Sequence, residues 1–198
     1  MKKLITLMLS LSTLSLCAQP KNTFSISYGL FKGVEYFPDT PGTLLQADYM
    51  RDIGGGFELG ILIGTAQNHS GHTAQPQFHE RSFNMMSMPF FGGISISMRP
   101  VNTKVYSLAF GLTPMIAQMK HVRPTSNNWY YSEVIIDGVL FGGWRYDYEN
   151  KLRAGVRFHI RNILKISENF WLHLDASIMK FQNEYNALTL NPGVTIGL

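Results

Sequence analysis

The residues with the clearest chemical potential lie in the segment "LRAGVRFHIR", residues 152–161. Its odd positions carry the basic side chains of Arg153, Arg157, His159 and Arg161, and its even positions are all apolar. A strand sends successive side chains to opposite faces, whereas a helix would mix the two sets. The segment therefore predicts a strand with one cationic face and one apolar face. Which face meets water has to be decided from the rest of the chain.

Two other sets of residues are candidates for catalysis. His173 and Asp175 share one face of a later window, but they are two residues apart on one strand and no nucleophile accompanies them. Ser70 stands beside His69 and close to His72, which are two of the three residue types of a Ser/His/acid hydrolase site. No Asp or Glu is convincingly close to them in the sequence. We therefore predict no catalytic residue and no cofactor.

Two polar segments are candidates for binding. The segment "NHSGHTAQPQFHE" holds His69, His72 and His79, and a His-x-x-His spacing with a third histidine suits Zn²⁺ or Cu²⁺. Chance clustering of polar residues in an exposed loop is the competing explanation. An aromatic group, residues 129–131, lies beside "PTSNN" and is a candidate for contact with lipopolysaccharide, a host surface or a partner protein, with loop packing or an extension of the outer aromatic girdle as the competing explanation. Its members are Trp129, Tyr130 and Tyr131.

The first residues, "MKKLITLMLSLSTLSLCAQP", predict export. Lys2 and Lys3 precede an apolar stretch of signal-peptide length, and Ala18 offers a small residue before a cut, so we predict a signal peptide over 1–18. A lipoprotein cut before Cys17 is disfavoured because Leu16 precedes it. The remaining chain, 19–198, has no cysteine, and its 15 Lys and Arg against 13 acids leave it near neutral. Neither charge nor export favours a nucleic-acid partner.

Alternation of apolar and polar residues runs through the whole mature chain. Nine windows show it, at 24–30, 45–50, 57–64, 86–99, 106–116, 140–149, 152–161, 172–178 and 188–198. Short connections are predicted at 51–55, 99–103, 149–151 and 167–169, and long polar ones at 33–43, 67–81 and 120–132. Spanning strands joined by short turns on one rim and long loops on the other are typical of outer-membrane barrels.

The composition of the two faces indicates which one meets lipid. A soluble barrel carries charges densely on its outward face. Here the non-apolar face is rich in Ser, Gly and Thr, which suit a narrow interior, and the apolar face includes the aromatic cluster Trp144, Tyr146 and Tyr148 beside a predicted short turn. We therefore predict an all-β fold, a single antiparallel up-and-down transmembrane β-barrel over 19–198. Eight strands suit the length best and ten are the alternative, so one window between 133 and 181 is not a separate span.

The chain resembles the small outer-membrane β-barrel proteins of the OmpA/OmpX-like group. The resemblance covers the mature chain and rests on the signal peptide, the hairpin "GVRFHIRNILKISENFWLHLDASI" and the final strand "LTLNPGVTIGL". That strand looks like the signal that the barrel-assembly machinery reads, although it ends on Leu198 where an aromatic residue is usual. The resemblance implies a place in the cell outer membrane with lipid and lipopolysaccharide as partners. It does not imply one activity.

The predicted barrel would enclose a polar lumen in which charges pair with one another. Its members are Asp48, Glu58, Arg145, Asp147, Arg153, Arg157, His159, Arg161, His173 and Asp175. An interior of eight strands is only wide enough for side chains to fill, so internal packing is the leading interpretation and a narrow pore the alternative. We predict a non-enzymatic outer-membrane protein with loops that contact the envelope or the exterior. The same pattern is also compatible with a lipid A-modifying enzyme and with a soluble lipocalin-like barrel.

Overall fold

The computed structural model of the protein describes residues 22–33, 40–74, 81–124, 134–136, 139–141, 146–182 and 186–198. These residues form strands and the turns between them. The strands are β1 (Asn22–Gly33), β2 (Gly42–Gly54), β3 (Phe57–Ala74), β4 (Arg81–Asn102), β5 (Tyr106–Pro124), β6 (Val134–Ile136), β7 (Val139–Phe141), β8 (Tyr146–Lys165), β9 (Phe170–Phe181) and β10 (Asn186–Gly197). Residues 1–18 lie outside the described residues, so the signal peptide stays a prediction.

Eight of the described strands close into a barrel, and every neighbouring pair is antiparallel. The order around the barrel is β1-β10-β9-β8-β5-β4-β3-β2, and β1 also pairs with β2. The short strands β6 and β7 pair only with each other among the described strands. Each barrel strand lies next to its neighbour in sequence, so the topology is up-and-down. The predicted fold class, an eight-stranded antiparallel β-barrel, is confirmed.

The barrel exposes its apolar residues and buries its polar ones. In β9 the even positions from Phe170 to Lys180 are exposed, and the odd positions from Trp171 to Phe181 are buried. Large apolar side chains such as Ile61 and Phe158 are more than half exposed. An apolar exterior around a partly polar interior is the arrangement of a barrel surrounded by lipid. Among the described residues, no helix is long and apolar enough to cross a membrane.

The two rims of the barrel differ in their connections. One rim, the turn rim, holds both ends of the described chain, residues 22 and 198, and three tight turns between β2 and β3, β4 and β5, and β8 and β9. The first turn uses Gly54, Gly55 and Gly56, all at positive φ, a conformation that glycine adopts without steric cost. At the other rim, the loop rim, β1, β3, β5 and β9 end and β2, β4, β8 and β10 begin, and the intervals of sequence between these ends are 34–41, 75–80, 125–145 and 182–185.

One predicted turn does not exist. The segment 149–151 lies inside β8, so residues 146–149 of one window and the window 152–161 belong to one strand, and the two windows give one barrel strand in place of two. Leu140, at the start of the first window, lies in β7, and 142–145 are outside the described residues. The outward-facing parity continues without a break from Tyr148 through Asn150 to Leu152. Asn150 is polar and therefore interrupted the apolar pattern in the sequence. In the structure its side-chain oxygen accepts a hydrogen bond of 3.2 Å from the side-chain amide of Gln118 on the outer face. An unbroken alternation of outward-facing and inward-facing positions therefore indicates a single strand, even where one outward-facing residue is polar.

The aromatic cluster is placed differently from the prediction. Tyr148 is exposed, but it lies near the loop rim and no short turn follows it. Trp144 lies outside the described residues, and of Tyr146 only the backbone is described. The strands also extend into two predicted loops, 67–81 and 120–132, because β3 continues to Ala74 and β5 to Pro124.

The barrel wall is uneven in height. β3, β4, β5 and β8 have 18 to 22 residues, whereas β1, β2, β9 and β10 have 12 or 13. β2 pairs with β3 only as far as Gln67, and β9 pairs with β8 only from Gly155 onward. Four adjacent strands therefore rise beyond the rest at the loop rim. We call this part the raised wall.

Candidate functional site: the layered lumen

The lumen contains the buried polar residues that the sequence singled out, and it is organised in layers. The layer nearest the turn rim is built around Trp171, which is 1% exposed. Arg99 lies over the indole ring with its guanidinium carbon 5.6 Å from the ring centroid, and Lys165 Nζ lies 5.7 Å from it. Arg99 also forms a two-bond ion pair with Glu58, in which Arg99 Nε donates to Glu58 Oε2 over 2.9 Å. Cation–π contacts and an ion pair thus close this end of the lumen.

The middle layer is a network of four charges. Arg161 donates two hydrogen bonds to the carboxylate of Asp48, at 2.9 and 2.8 Å, and Arg161 Nε donates to Asp175 Oδ2 at 3.0 Å. Arg157 donates to the other oxygen of Asp175 and, through Nε, to Ser177 Oγ at 3.0 Å. Two acids and two arginines cancel in charge. Asp48 accepts both of its bonds from one guanidinium, and Asp175 accepts one bond from each arginine. Because every carboxylate oxygen has a charged donor, the network tolerates its burial.

The two histidines predicted for the lumen, His159 and His173, flank this network. His159 Nδ1 lies 3.3 Å from Arg157 Nη1, and His159 Nε2 lies 3.3 Å from Ser97 Oγ. His173 Nδ1 lies 2.9 Å from Thr195 Oγ1. Glycines make room for both rings, since a side chain at Gly111 would overlap His159 and one at Gly193 would overlap His173.

The arrangement around His173 does not form a catalytic triad. Both oxygens of Asp175 bind arginines, and the hydroxyl next to His173 is that of Thr195, which also lies 2.8 Å from Ser25 Oγ. The side chains of Ser25, Thr195 and His173 are all at most 5% exposed. A nucleophile that neither lipid nor water reaches has no access to substrate.

The layer above the charges is apolar, which the predicted polar lumen did not include. Eleven buried residues form it: Phe31, Leu44, Leu62, Ala66, Phe91, Met115, Ala117, Met119, Met179, Phe181 and Ala187. The signal for this layer was present in the sequence, because alternation gives way there to apolar pairs that occupy both faces. Leu30 with Phe31, Leu44 with Leu45, and Phe90 with Phe91 are examples. In each pair one residue faces outward and the other faces the lumen.

Arg153 lies apart from the arginines that share its face of the strand. It donates to Glu149, four residues earlier in β8, and Lys151 Nζ lies 3.3 Å from the same carboxylate. This group belongs to the raised wall, beyond the part of β8 that pairs with β9. Burial raises the pKa of Glu149, but the hydrogen bonds from Lys151 and Arg153 outweigh it and hold the pKa below its usual value.

The structure thus brings seven of the ten predicted lumen residues into the turn-side and middle layers. Glu58 lies in the turn-side layer; Asp48, Arg157, Arg161 and Asp175 form the network; and His159 and His173 flank it. The other three are outside these layers: Arg153 is in the raised wall, Asp147 is exposed, and Arg145 lies outside the described residues. The prediction missed Arg99, Lys165 and Trp171, although all three face the lumen by parity.

The loop candidates are largely beyond the described residues. His69 is exposed on β3, where its carbonyl oxygen accepts a hydrogen bond of 2.7 Å from Thr40 Oγ1. The side chains of Ser70 and His72 are not described, and neither is any part of His79 or of residues 129–131. Among the residues that are described, no three His, Cys, Asp or Glu side chains are grouped as a metal site.

Solved structures with the same architecture come from bacterial outer membranes. Ail, the attachment invasion locus protein of Yersinia pestis, matches with a TM-score of 0.52 and 13% identity, over 90% of this chain and 98% of Ail. Neisserial surface protein A matches with a TM-score of 0.57 and 10% identity, over 90% of this chain and 97% of that protein. This chain has the fold of the small outer-membrane barrels. No family model matches the sequence, and no curated protein matches it.

Proposed function

We propose that this protein is a non-enzymatic, integral outer-membrane barrel whose lumen is closed and whose loop rim makes the functional contacts. The proposal rests on the layers of the lumen, in which a layer of paired charges is followed by a layer of packed apolar side chains. The outer surface of the strands around both layers is apolar. The fold shared with Ail and Neisserial surface protein A supports the outer membrane as its location.

The layers argue against conduction. An ion that crosses the lumen would have to separate Arg161 from Asp48 and Asp175, and then pass side chains such as Phe31, Leu62 and Phe91, which are at most 1% exposed. Breaking a buried ion pair and inserting a charge among apolar groups are both costly. The narrow-pore alternative therefore has two barriers to overcome.

The enzyme alternative has no accessible centre among the described residues. The polar chain of Ser25, Thr195 and His173 is buried in the lumen, and the buried carboxylates that might orient a histidine bind arginines instead. What the barrel offers to its surroundings is its lipid-facing belt and its two rims. We therefore assign function to the loop rim, where the raised wall stands.

Names given to the two neighbours agree with a loop rim that acts outside the cell. One is an attachment invasion locus protein and the other a surface protein, and Ail has also been solved in complex with the heparin analogue sucrose octasulfate. That complex matches this chain with a TM-score of 0.50 and 14% identity, over 90% of this chain and 98% of Ail. An external protein or glycan is thus the kind of partner to seek.

The outward faces of the strands suggest the lipid partner. Lys32 and Lys180 point outward at the loop-rim ends of β1 and β9, and no outward-facing strand residue in the described part of the chain is acidic. Cations at this height would meet the anionic headgroups of the outer leaflet. We propose lipopolysaccharide phosphates as their partners.

The last strand supports assembly by the barrel-assembly machinery. β10 pairs with both β9 and β1, so it closes the barrel, and its lipid-facing side presents Val194 and Ile196. A closing strand with apolar residues at alternate positions is what the resemblance implies for the signal at the end of the chain.

Two measurements test this proposal. We expect the protein in the outer-membrane fraction, with an unheated gel band that migrates differently from the boiled band.

The only cysteine, Cys17, precedes the predicted cleavage site, so a cysteine introduced by Lys151→Cys at the loop rim or by Lys104→Cys at the turn rim is a unique label site. A membrane-impermeant maleimide should label the Lys151→Cys variant on intact cells, and the Lys104→Cys variant only after permeabilisation. A soluble protein without a gel shift, or the reverse labelling pattern, would overturn the proposal.

A further inference from the structure

The raised wall has two vertical edges, and they are not equivalent. On the β3 edge, above its last pairing with β2 at Gln67, Thr40 Oγ1 hydrogen-bonds to the carbonyl oxygen of His69 at 2.7 Å and approaches Asn68 Oδ1 at 3.4 Å. On the β8 edge, no described strand pairs with residues 146–154 on the side away from β5, because β9 begins its pairing at Gly155. Backbone groups on such an edge are a template for another strand.

The charges along this edge have a symmetrical order. On the face of the wall that continues the lumen, β8 presents Asp147, Glu149, Lys151 and Arg153, that is, two acids followed by two bases. On the opposite face it presents Tyr148, Asn150 and Leu152. The side-chain charges are negative before Asn150 and positive after it, at equal distances along the strand.

We propose that the β8 edge, residues 147–153, pairs in antiparallel register with the same edge of a second copy of this protein. A twofold axis at Asn150 places Glu149 of each copy opposite Lys151 of the other, and Asp147 opposite Arg153. Tyr148 then lies opposite Leu152 on the other face. Directly opposed charges of opposite sign stabilise a strand pair, and one continuous backbone ladder joins the two edges.

The two copies must stand in opposing membranes. In one membrane every copy runs β8 from the loop rim down toward the turn rim, so two β8 strands never point in opposite directions. A parallel pairing in register would also set Asp147 against Asp147 and Lys151 against Lys151, and like charges directly opposite each other are destabilising. The inference therefore names a further function, the tethering of one membrane to another, and it rests on the proposed outer-membrane location with the loop rim outside.

Vesicle docking with a charge exchange tests the pairing. Purified protein is reconstituted into vesicles of zwitterionic lipid in two fluorescent colours, and two-colour particles are counted by flow cytometry. We expect wild-type vesicles to dock. Glu149→Lys or Lys151→Glu, present in both vesicle populations, should lower docking by about fivefold or more, because each sets two like-charge pairs across the axis. Mixing Glu149→Lys vesicles with Lys151→Glu vesicles should restore docking, since both pairs are then again of opposite sign.

The controls separate this inference from the proposed function. Lys104→Glu makes the same charge change as Lys151→Glu but at the turn rim, and it should dock like wild type. Each variant is first shown by its heat-shifted gel band to be a folded barrel, so a missing band shift counts against the barrel proposal and not against the pairing. Folded wild-type protein that does not dock would overturn the pairing. The pairing would also be overturned if Glu149→Lys and Lys151→Glu docked like wild type, if mixed vesicles of these two variants failed to dock, or if Lys104→Glu lost docking.

Discussion

The turn-side and loop-side halves of the lumen are lined by the same strands but are stabilised differently. The turn-side half, around Asp175 and Trp171, depends on ion pairs and cation–π contacts, so each group needs its specific partner. The loop-side half, around Leu62 and Phe91, depends on close packing of apolar volume. In lipid, the apolar outer surface of a barrel contributes little to its stability, because the lipid is as apolar as the side chains. Its interior must therefore specify the fold, and this chain uses both means.

The largest expected effect comes from removing one charge of the network. Asp175→Asn keeps the volume of the side chain but leaves Arg157 and Arg161 with Asp48 as the remaining acid of the network. Breaking a buried ion pair from one side should lower the free energy of unfolding by about 4 kcal/mol. Urea titration of the protein in lipid vesicles measures it. Asp147→Asn, at an exposed position of β8, is the control and should change the free energy by less than about 0.5 kcal/mol.

The next effect tests which face meets lipid. Leu174 lies near the middle of β9 on its outward face and is 43% exposed. Leu174→Arg places a charge in the hydrocarbon and should cost about 3 kcal/mol in the same titration. Leu174→Ala, which keeps this position apolar, should cost much less. If the arginine variant were as stable as wild type, the outward face would not be the lipid face.

A smaller effect is expected for a cavity in the apolar layer. Leu62→Ala removes a side chain that is 1% exposed. We expect a loss of about 2 kcal/mol, at the low end for such substitutions, because three methionines of the same layer, Met115, Met119 and Met179, are flexible enough to refill part of the space. Ile61→Ala is the matched control one residue earlier, on the lipid side, where lipid chains fill the space. A larger loss for Ile61→Ala than for Leu62→Ala would contradict a packed loop-side layer.

The smallest effect concerns the turn-side layer. Trp171→Phe keeps an aromatic ring beneath Arg99 and Lys165 but removes the hydrogen bond from Trp171 Nε1 to the Glu168 carbonyl oxygen, 3.2 Å away. The phenyl ring also attracts cations less strongly, so we expect a loss of about 1 kcal/mol. Tyr106→Phe removes a hydrogen bond to Asn162 on the outer face of the same rim. That control should be nearly neutral, and equal losses would mean that the buried site has no special role.

Local alternation was enough to predict the barrel and the polar face of β8 and β9. Parity alone assigned Arg157, Arg161 and Asp175 to the lumen, because a period of two is a property of the strand and needs no partner. The contact between Arg161 and Asp48 was not predictable in detail, since the two residues are 113 positions apart and meet only when the barrel closes.

Two features were missed because the alternation was interrupted. Where both faces are apolar, as at Leu44 and Leu45, the pattern no longer distinguishes lumen from lipid, and the apolar layer was overlooked. At Asn150 a polar residue faces outward and suggested a turn where the strand continues. Arg99 and Trp171 face the lumen by the same alternation, but the cation–π contact between them was not predictable, because it joins two strands and leaves no mark on either strand's own sequence.

Conductance tests most directly that the two layers close the lumen. Purified protein, verified as folded by its gel shift, is inserted into a planar lipid bilayer in concentrated salt and held at a fixed voltage. We predict no discrete current steps for the wild-type protein, and none for Asp175→Asn or Leu62→Ala, because the layer left intact in each variant still blocks ions. Stable, ohmic steps from the wild-type protein, growing in proportion to salt concentration, would contradict a closed lumen.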